Sequence, residues 1–212
     1  MVDVYASEEE QVAAIKKWWK DNGTSVILGI VIGCAALFGW RAWQEQITTK
    51  GEQASMAYST MEEQLSNNNN EDATATGKQL IDNYKETPYA SFASLKLAKV
   101  AVEAEEFETA SGYLRWVIDN GKPVELTQTA TMRLARLNLS NNNADAAWAL
   151  ISSLDDKNTN SLASFHELKG DILLAQNKQS EAKNAYLQAT VLSPAGAGKN
   201  NYLEMKIDDL GR

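Results

Sequence analysis

The sequence is poor in the residues that carry most protein chemistry. Its 212 positions include one cysteine (Cys34), one histidine (His166) and three prolines. A single thiol excludes an internal disulfide and any zinc site built from cysteines. A lone imidazole removes paired-histidine metal sites and most acid–base constellations, so His166 reads as a packing residue. No G-x-S-x-G elbow and no Walker A loop is present. Lys and Arg number 20 against 28 Asp and Glu, a formal charge of −8. That sign is wrong for holding a phosphate backbone, so nucleic acid is not an expected partner. The neighbouring acids Asp155-Asp156 and Asp208-Asp209 diverge on a helix or sit in loops, and read as solvated surface. The sequence therefore predicts a protein that is not an enzyme, with no catalytic residues, no metal ligands and no cofactor.

What is present begins with one long apolar run. Between Asp21 and Arg41 the only ionisable side chain is Cys34. Residues 24–43 supply 20 positions, which at ~1.5 Å per residue reach about 30 Å, one hydrocarbon thickness of a lipid bilayer. Trp18 and Trp19 precede the run, and Trp40 and Trp43 close it, as interfacial aromatic belts do. A buried core helix would not require tryptophan pairs at both ends. Lys16, Lys17 and Lys20 lie before the run and Arg41 and Lys50 after it. This basic excess, three to two, favours a cytoplasmic N-terminus and a single pass. The acidic leader and the absence of a small-x-small site after the run argue against a cleaved signal peptide. Val31-Ile32-Gly33-Cys34 is a loose lipobox, but lipidation at Cys34 would leave half a membrane helix as the mature N-terminus. Gly29, Gly33 and Ala36 form one small-residue face suited to helix packing in the membrane.

Before the run, Ser7 reads as an N-cap followed by three glutamates, with Val12, Ile15 and Trp19 on one face. The expectation is a short amphipathic helix on the cytoplasmic leaflet, broken by Asp21-Asn22-Gly23. The predicted organisation is residues 1–23 as a cytoplasmic segment, 24–43 as the transmembrane helix and 44–212 as a periplasmic domain. Residues 44–65 lack proline and extend the membrane helix into helix A of a first pair.

Beyond that point strand signals are almost absent, and Pro88, Pro123 and Pro194 are spaced by 35 and 71 residues. Periods in this range suggest a helical solenoid. A tetratricopeptide unit needs a small residue at the crossing of helices A and B, alanine 12 later, a bulky side chain at 16 and a small or apolar one at 19. Gly170, Ala182, Tyr186 and Ala189 fit that pattern, with Pro194 beyond. Ala135, Ala147, Ile151 and Leu154 fit it, as do Ala98, Ala110, Leu114 and Val117 with Pro123. A degenerate upstream unit is anchored at Gln64, with Thr76, Leu80 and Pro88. The turns fall at Glu105-Glu106, at Asn141-Asn142-Asn143 and at Gln176-Asn177-Lys178. The Asn67-Asn70 tract reads as a mobile loop. Residues 199–210 cap the array through Tyr202, Met205 and Leu210. The fold class is all-α, one N-terminal transmembrane helix followed by a tetratricopeptide-like (TPR) solenoid.

Successive helix A faces would make a concave groove from Phe92, Leu95 and Lys99, then Met132 and Arg136, then Glu167, Asp171 and Leu174. It has an aliphatic floor, a basic end and an acidic end. A partner's peptide or helix suits it, unless the chain's own C-terminal segment fills it.

Four stretches carry a family resemblance. Glu10-Gln11-Val12-Ala13-Ala14-Ile15-Lys16-Lys17 with Trp18-Trp19, then Gly39-Trp40-Arg41-Ala42-Trp43, resemble the YfgM family, ancillary subunits of the bacterial Sec (SecYEG) translocon. Tyr89-Ala90-Ser91-Phe92-Ala93-Ser94-Leu95-Lys96-Leu97-Ala98 and Met205-Lys206-Ile207-Asp208-Asp209-Leu210 are similar to it as well. The resemblance implies a single-pass inner-membrane protein, N-terminus inside, whose periplasmic domain associates with the SecYEG translocon and with the membrane-anchored chaperone PpiD. It further implies assistance to exported client proteins. The alternatives are a periplasmic scaffold for envelope or division machinery, and a holdase chaperone acting alone.

Overall fold

A computed structural model describes residues 8–154, 161–193 and 201–210. Ser7, Asp155, Asp156, Pro194 and Lys199, singled out above, lie outside the described residues. All regular structure among the described residues is helical: α1 (Glu8–Ser66), α2 (Asn70–Asn83), α3 (Pro88–Glu103), α4 (Phe107–Asn120), α5 (Val124–Ser140), α6 (Ala144–Ser152), α7 (Leu162–Ala175), α8 (Gln179–Leu192) and α9 (Asn201–Asp209). By internal packing the chain divides into two units, Met1–Lys50 and Gly51–Arg212.

In the first unit α1 carries the apolar run, and it is long and apolar enough to cross a membrane. Its 18-residue apolar window is only 6% buried, which removes the core-helix reading. Ile30, Val31 and Phe38 are 60%, 57% and 71% exposed, surface that lipid would cover. The expected break at Asp21-Asn22-Gly23 does not occur, because α1 runs through it. Asn22 Nδ2 donates to the Trp18 carbonyl at 3.1 Å, turning a residue that often ends helices back onto the helix. Gly23 is helical as well: a Cβ there would lie 3.3 Å from the Trp19 indole, so the missing side chain makes room for the ring one turn earlier.

The second unit is built from A–B helix pairs, and the small-residue register explains their nesting. Ala98, Ala135 and Gly170 are buried, as are Ala110, Ala147 and Ala182 opposite them and Leu114, Ile151 and Tyr186 one turn on. The first pair follows the same rule from a different anchor than Gln64. Met61 is fully buried against Ala73, with Leu80 beyond, while the half-buried Gln64 side chain accepts a hydrogen bond from Thr76. Anchors Met61, Ala98, Ala135 and Gly170 are then 37, 37 and 35 residues apart. The sizes at the crossing are exchanged in this pair. Bulky Met61 takes the anchor, and the residue 16 later is Gly77, whose added Cβ would meet Met61 Cε at 3.1 Å and Leu97 Cδ1 at 2.8 Å.

The A-to-B turns obey the same register. Asn68, Glu105, Asn142 and Asn177 all have φ near +60°, at 58°, 61°, 59° and 61°. Each is followed by an N–H that reaches five residues back: Asn69 to Gln64, Glu106 to Ala101, Asn143 to Asn138 and Lys178 to Leu173, at 2.8–2.9 Å. This is the Schellman ending, which satisfies the last carbonyls of helix A. The asparagine tract is therefore an ordered turn, with Asn68 left-handed and Asn69 accepting from the Asp72 N–H as the cap of α2. Pro88 opens α3 and Pro123 caps α5, positions where a missing N–H is harmless.

Candidate partner-binding site

Eight positions were expected in the groove, and the structure distributes them among five environments. Leu95, Lys99 and Arg136 come together. With Ala98, Val102, Leu114, Arg133 and Leu137 they line an open cavity of about 400 Å³ between α3 and α5, floored by α4. Leu95, Leu114 and Leu137 are buried and make the apolar floor, whereas Lys99, Arg133 and Arg136 are exposed at the rim. Among the described residues no carboxylate pairs with either arginine. Among the described residues the Lys99 ammonium pairs with exposed Glu103, one turn away, at 3.4 Å, a contact worth little in water. Arg136 Nη2 donates a long 3.5 Å bond to the Ser164 carbonyl.

Phe92 lies elsewhere, half-buried among aromatics: its ring centroid is 5.9 Å from that of Tyr58 and 6.2 Å from that of Tyr89. It joins α3 to the distal part of α1. Met132 is 6% exposed and belongs to the core around Ala135, Ile151 and Phe165, because the larger side chain at this turn of α5 reaches into the α6–α7 interface. Leu174 stands 38% exposed, outside the cavity.

Glu167 and Asp171 form the acidic end, and the chain itself occupies it. Lys206 of α9 donates to Glu167 Oε1 at 3.0 Å and to Asp171 Oδ1 at 2.7 Å. Its ammonium also stands 4.6 Å from the Tyr202 ring centroid and 5.4 Å from that of Tyr186, within range of cation–π attraction. Burial lowers the affinity of Lys206 for its proton, but the hydrogen bonds and charges of Asp171 and Glu167 outweigh this and raise its pKa. Burial also pushes the Tyr186 phenol well above its ordinary range, helped by the hydrogen bond it donates to Asp171 at 2.8 Å. Leu203 anchors α9, 2% exposed against Leu173, Ala185 and Tyr186, with Ile207 and Leu210 beside it. Of the expected capping side chains Leu210 packs there, whereas Tyr202 and Met205 are each 62% exposed.

The register relates the two ends. Glu167 and Asp171 stand three residues before and one after anchor Gly170, as Leu95 and Lys99 stand to Ala98. Arg133 and Lys206 were missed by the sequence reading. Arg133 faces the cavity only because α3 packs beside α5. Lys206 could have been suspected as the cation of α9, the helix that follows an inner face carrying two carboxylates. His166 is 8% exposed, its ring edge-on to Phe165 at 5.3 Å, in keeping with a packing role. Around Gly29 and Gly33 an added Cβ would meet nothing within 4 Å, and Ala36 is exposed on the same helix.

The sequence matches the family described as a tetratricopeptide repeat-like domain over residues 16–212. Among similar proteins, the ancillary SecYEG translocon subunit of Aggregatibacter actinomycetemcomitans is 32% identical over 206 residues, 96% of this chain and 97% of the relative. The protein of the same name from Haemophilus influenzae is 30% identical over 186 residues, 87% and 90% of the two chains. That of Escherichia coli (strain K12) is 28% identical over 209 residues, 99% of both.

Proposed function

The chain belongs to the family of ancillary SecYEG translocon subunits, and from that membership we propose that it is a single-pass inner-membrane protein acting beside the translocon. Its N-terminus lies in the cytoplasm and its repeat domain in the periplasm. There the domain binds a membrane-anchored chaperone of the PpiD type, newly exported proteins, or both, and chemistry is left to the partners. Tethering raises the local concentration of these partners, so weak groove contacts suffice. The observation that carries the reading is the near full-length match to translocon subunits in a chain that has one exposed apolar helix followed by nested helix pairs.

A photo-crosslinking residue placed in turn at Lys99, Val102 and Arg136, in membranes of the native host, tests the reading. Adducts with SecYEG subunits or a membrane-anchored chaperone are expected. Adducts confined to division or cell-wall proteins would replace the reading with that of an envelope scaffold. Orientation is tested separately, with Asn142→Cys in a Cys34→Ala background and an impermeant maleimide. Labelling in intact spheroplasts is expected, and labelling only after lysis would reverse the topology.

A further inference from the structure

The two ends of the inner face differ in one respect that points to a ligand. At α7 the face is acidic, and α9, seated mainly on α8 through buried Leu203, places Lys206 between the two carboxylates of that face. At α3 and α5 the equivalent face is basic and open. It has the same pattern of apolar floor and charged rim with the sign reversed: Leu95, Leu114 and Leu137 below, Lys99, Arg133 and Arg136 above. No described segment of this chain covers it, and these three cations stand out in a protein whose net charge is −8. A rim of this sign repels basic segments and gives uncharged ones no charge pairing. A segment offering carboxylates around an aliphatic side chain would be attracted.

We propose that the cavity between α3 and α5 is the docking site for an acidic amphipathic helix of a partner protein. An aliphatic side chain of that helix enters the leucine floor, and its flanking Asp or Glu side chains pair with Lys99, Arg133 and Arg136. Charge-assisted hydrogen bonds to two guanidinium groups fix its register, since arginine presents a planar fork to a carboxylate. The charge pairing repeats, with acid and base exchanged, that of Lys206 with Glu167 and Asp171. The proposal rests on the reading that the repeat domain binds a partner protein, and it names the chemistry of that partner.

The test uses the full chain in zwitterionic nanodiscs and a fluorescein-labelled synthetic helix of about 15 residues, with leucines on one face and glutamates flanking them. A matching peptide with lysine for every glutamate is the control, and empty nanodiscs give the background. Binding of the glutamate peptide is expected, at least tenfold tighter than that of the lysine peptide and weaker at high salt. In Arg133→Glu/Arg136→Glu it falls tenfold or more, while helical circular dichroism and the melting temperature hold. Equal affinity for both peptides overturns the proposal, as does unchanged binding in the charge-reversed protein, or no binding at millimolar peptide. Self-association of the chain that is lost in the same variant overturns it too, because a second copy would then be the occupant. Co-purification of SecYEG with the tagged full chain is measured in parallel. If SecYEG co-purifies but the peptide fails to bind, the docking proposal falls and the translocon reading stands. If the peptide binds but SecYEG is absent, the docking chemistry stands and the translocon reading falls.

Discussion

Substituting alanine for Gly170 tests the physical basis of the repeat register. A Cβ at this position would lie 2.4 Å from Tyr186 Cε1, 2.5 Å from Cδ1 and 2.9 Å from Cζ. These are atoms of a fully buried ring, not the free end of a flexible chain. The ring must retreat by about 1 Å to restore ordinary carbon contacts, and overpacking of this kind costs about 1–3 kcal/mol. Retreat also strains the hydrogen bond from the Tyr186 hydroxyl to Asp171, worth about 1.5–3 kcal/mol with a charged acceptor. Against these stands a gain of about 1 kcal/mol in helix propensity from Gly to Ala. The net expectation is a loss of about 3 kcal/mol, or roughly 6–12 °C in melting temperature for a chain of this size. Circular dichroism at 222 nm on the full chain in mild detergent reads the shift, and hydrogen exchange places it in α7, α8 and α9. Gly112→Ala is the control, since an added Cβ there meets nothing within 4 Å, and it is expected to stabilise by about 0.5–1 kcal/mol. Adding Tyr186→Leu to Gly170→Ala recreates the Ala98–Leu114 pairing of an earlier repeat. The two changes should therefore couple favourably by at least about 1 kcal/mol. If Gly170→Ala melts at or above the parent temperature, or if the two losses simply add, small-residue nesting is not what sets the register.

Three further outcomes follow from the same structure. Glu105 holds a left-handed conformation that asparagine holds at the three equivalent turns, so Glu105→Asn should stabilise by about 0.5–1 kcal/mol in thermal melts; a drop in melting temperature would show that the glutamate side chain matters more than the backbone. Tyr186 and Lys206 both keep their protons more tightly in the folded chain, so their contribution is complete below about pH 10, near the unfolded values, and is lost as pH rises through the higher folded values. Melting temperature should accordingly fall above pH 10, and less so in Tyr186→Phe/Lys206→Met; an identical alkaline limb in that variant refutes the assignment. Val31→Arg places a charge in the middle of the apolar run at about 3 kcal/mol, on the order of a hundredfold in insertion, so the fraction resisting alkaline carbonate extraction should drop, and unchanged pelleting would count against residues 24–43 as the span.

The sequence by itself determined the elements whose cause is local. The apolar run bounded by tryptophan pairs, the three in-register repeats and the turn positions were all legible, because periodicity, small residues at fixed spacing and turn-forming asparagines act within a few tens of residues. Local reasoning failed where a neighbour decides. Asp21-Asn22-Gly23 looks like a helix stop, yet Asn22 and Gly23 are absorbed by the backbone and indole of Trp18 and Trp19. The first repeat was anchored at Gln64, when the crossing there is made by bulky Met61 against small Gly77, a reciprocal choice that only the paired helices reveal. The groove shows the same division. The face of helix A was readable, so Leu95, Lys99 and Arg136 line one cavity as their spacing suggests, but depth was not, and Met132, expected beside them, fills the next interface. The tertiary structure alone decided that Arg133 joins the basic rim and that Lys206, 35 and 39 residues from its carboxylates, closes the acidic end. Helical periodicity fixes which way a side chain points within its own helix, whereas what it meets there depends on residues a repeat or more away.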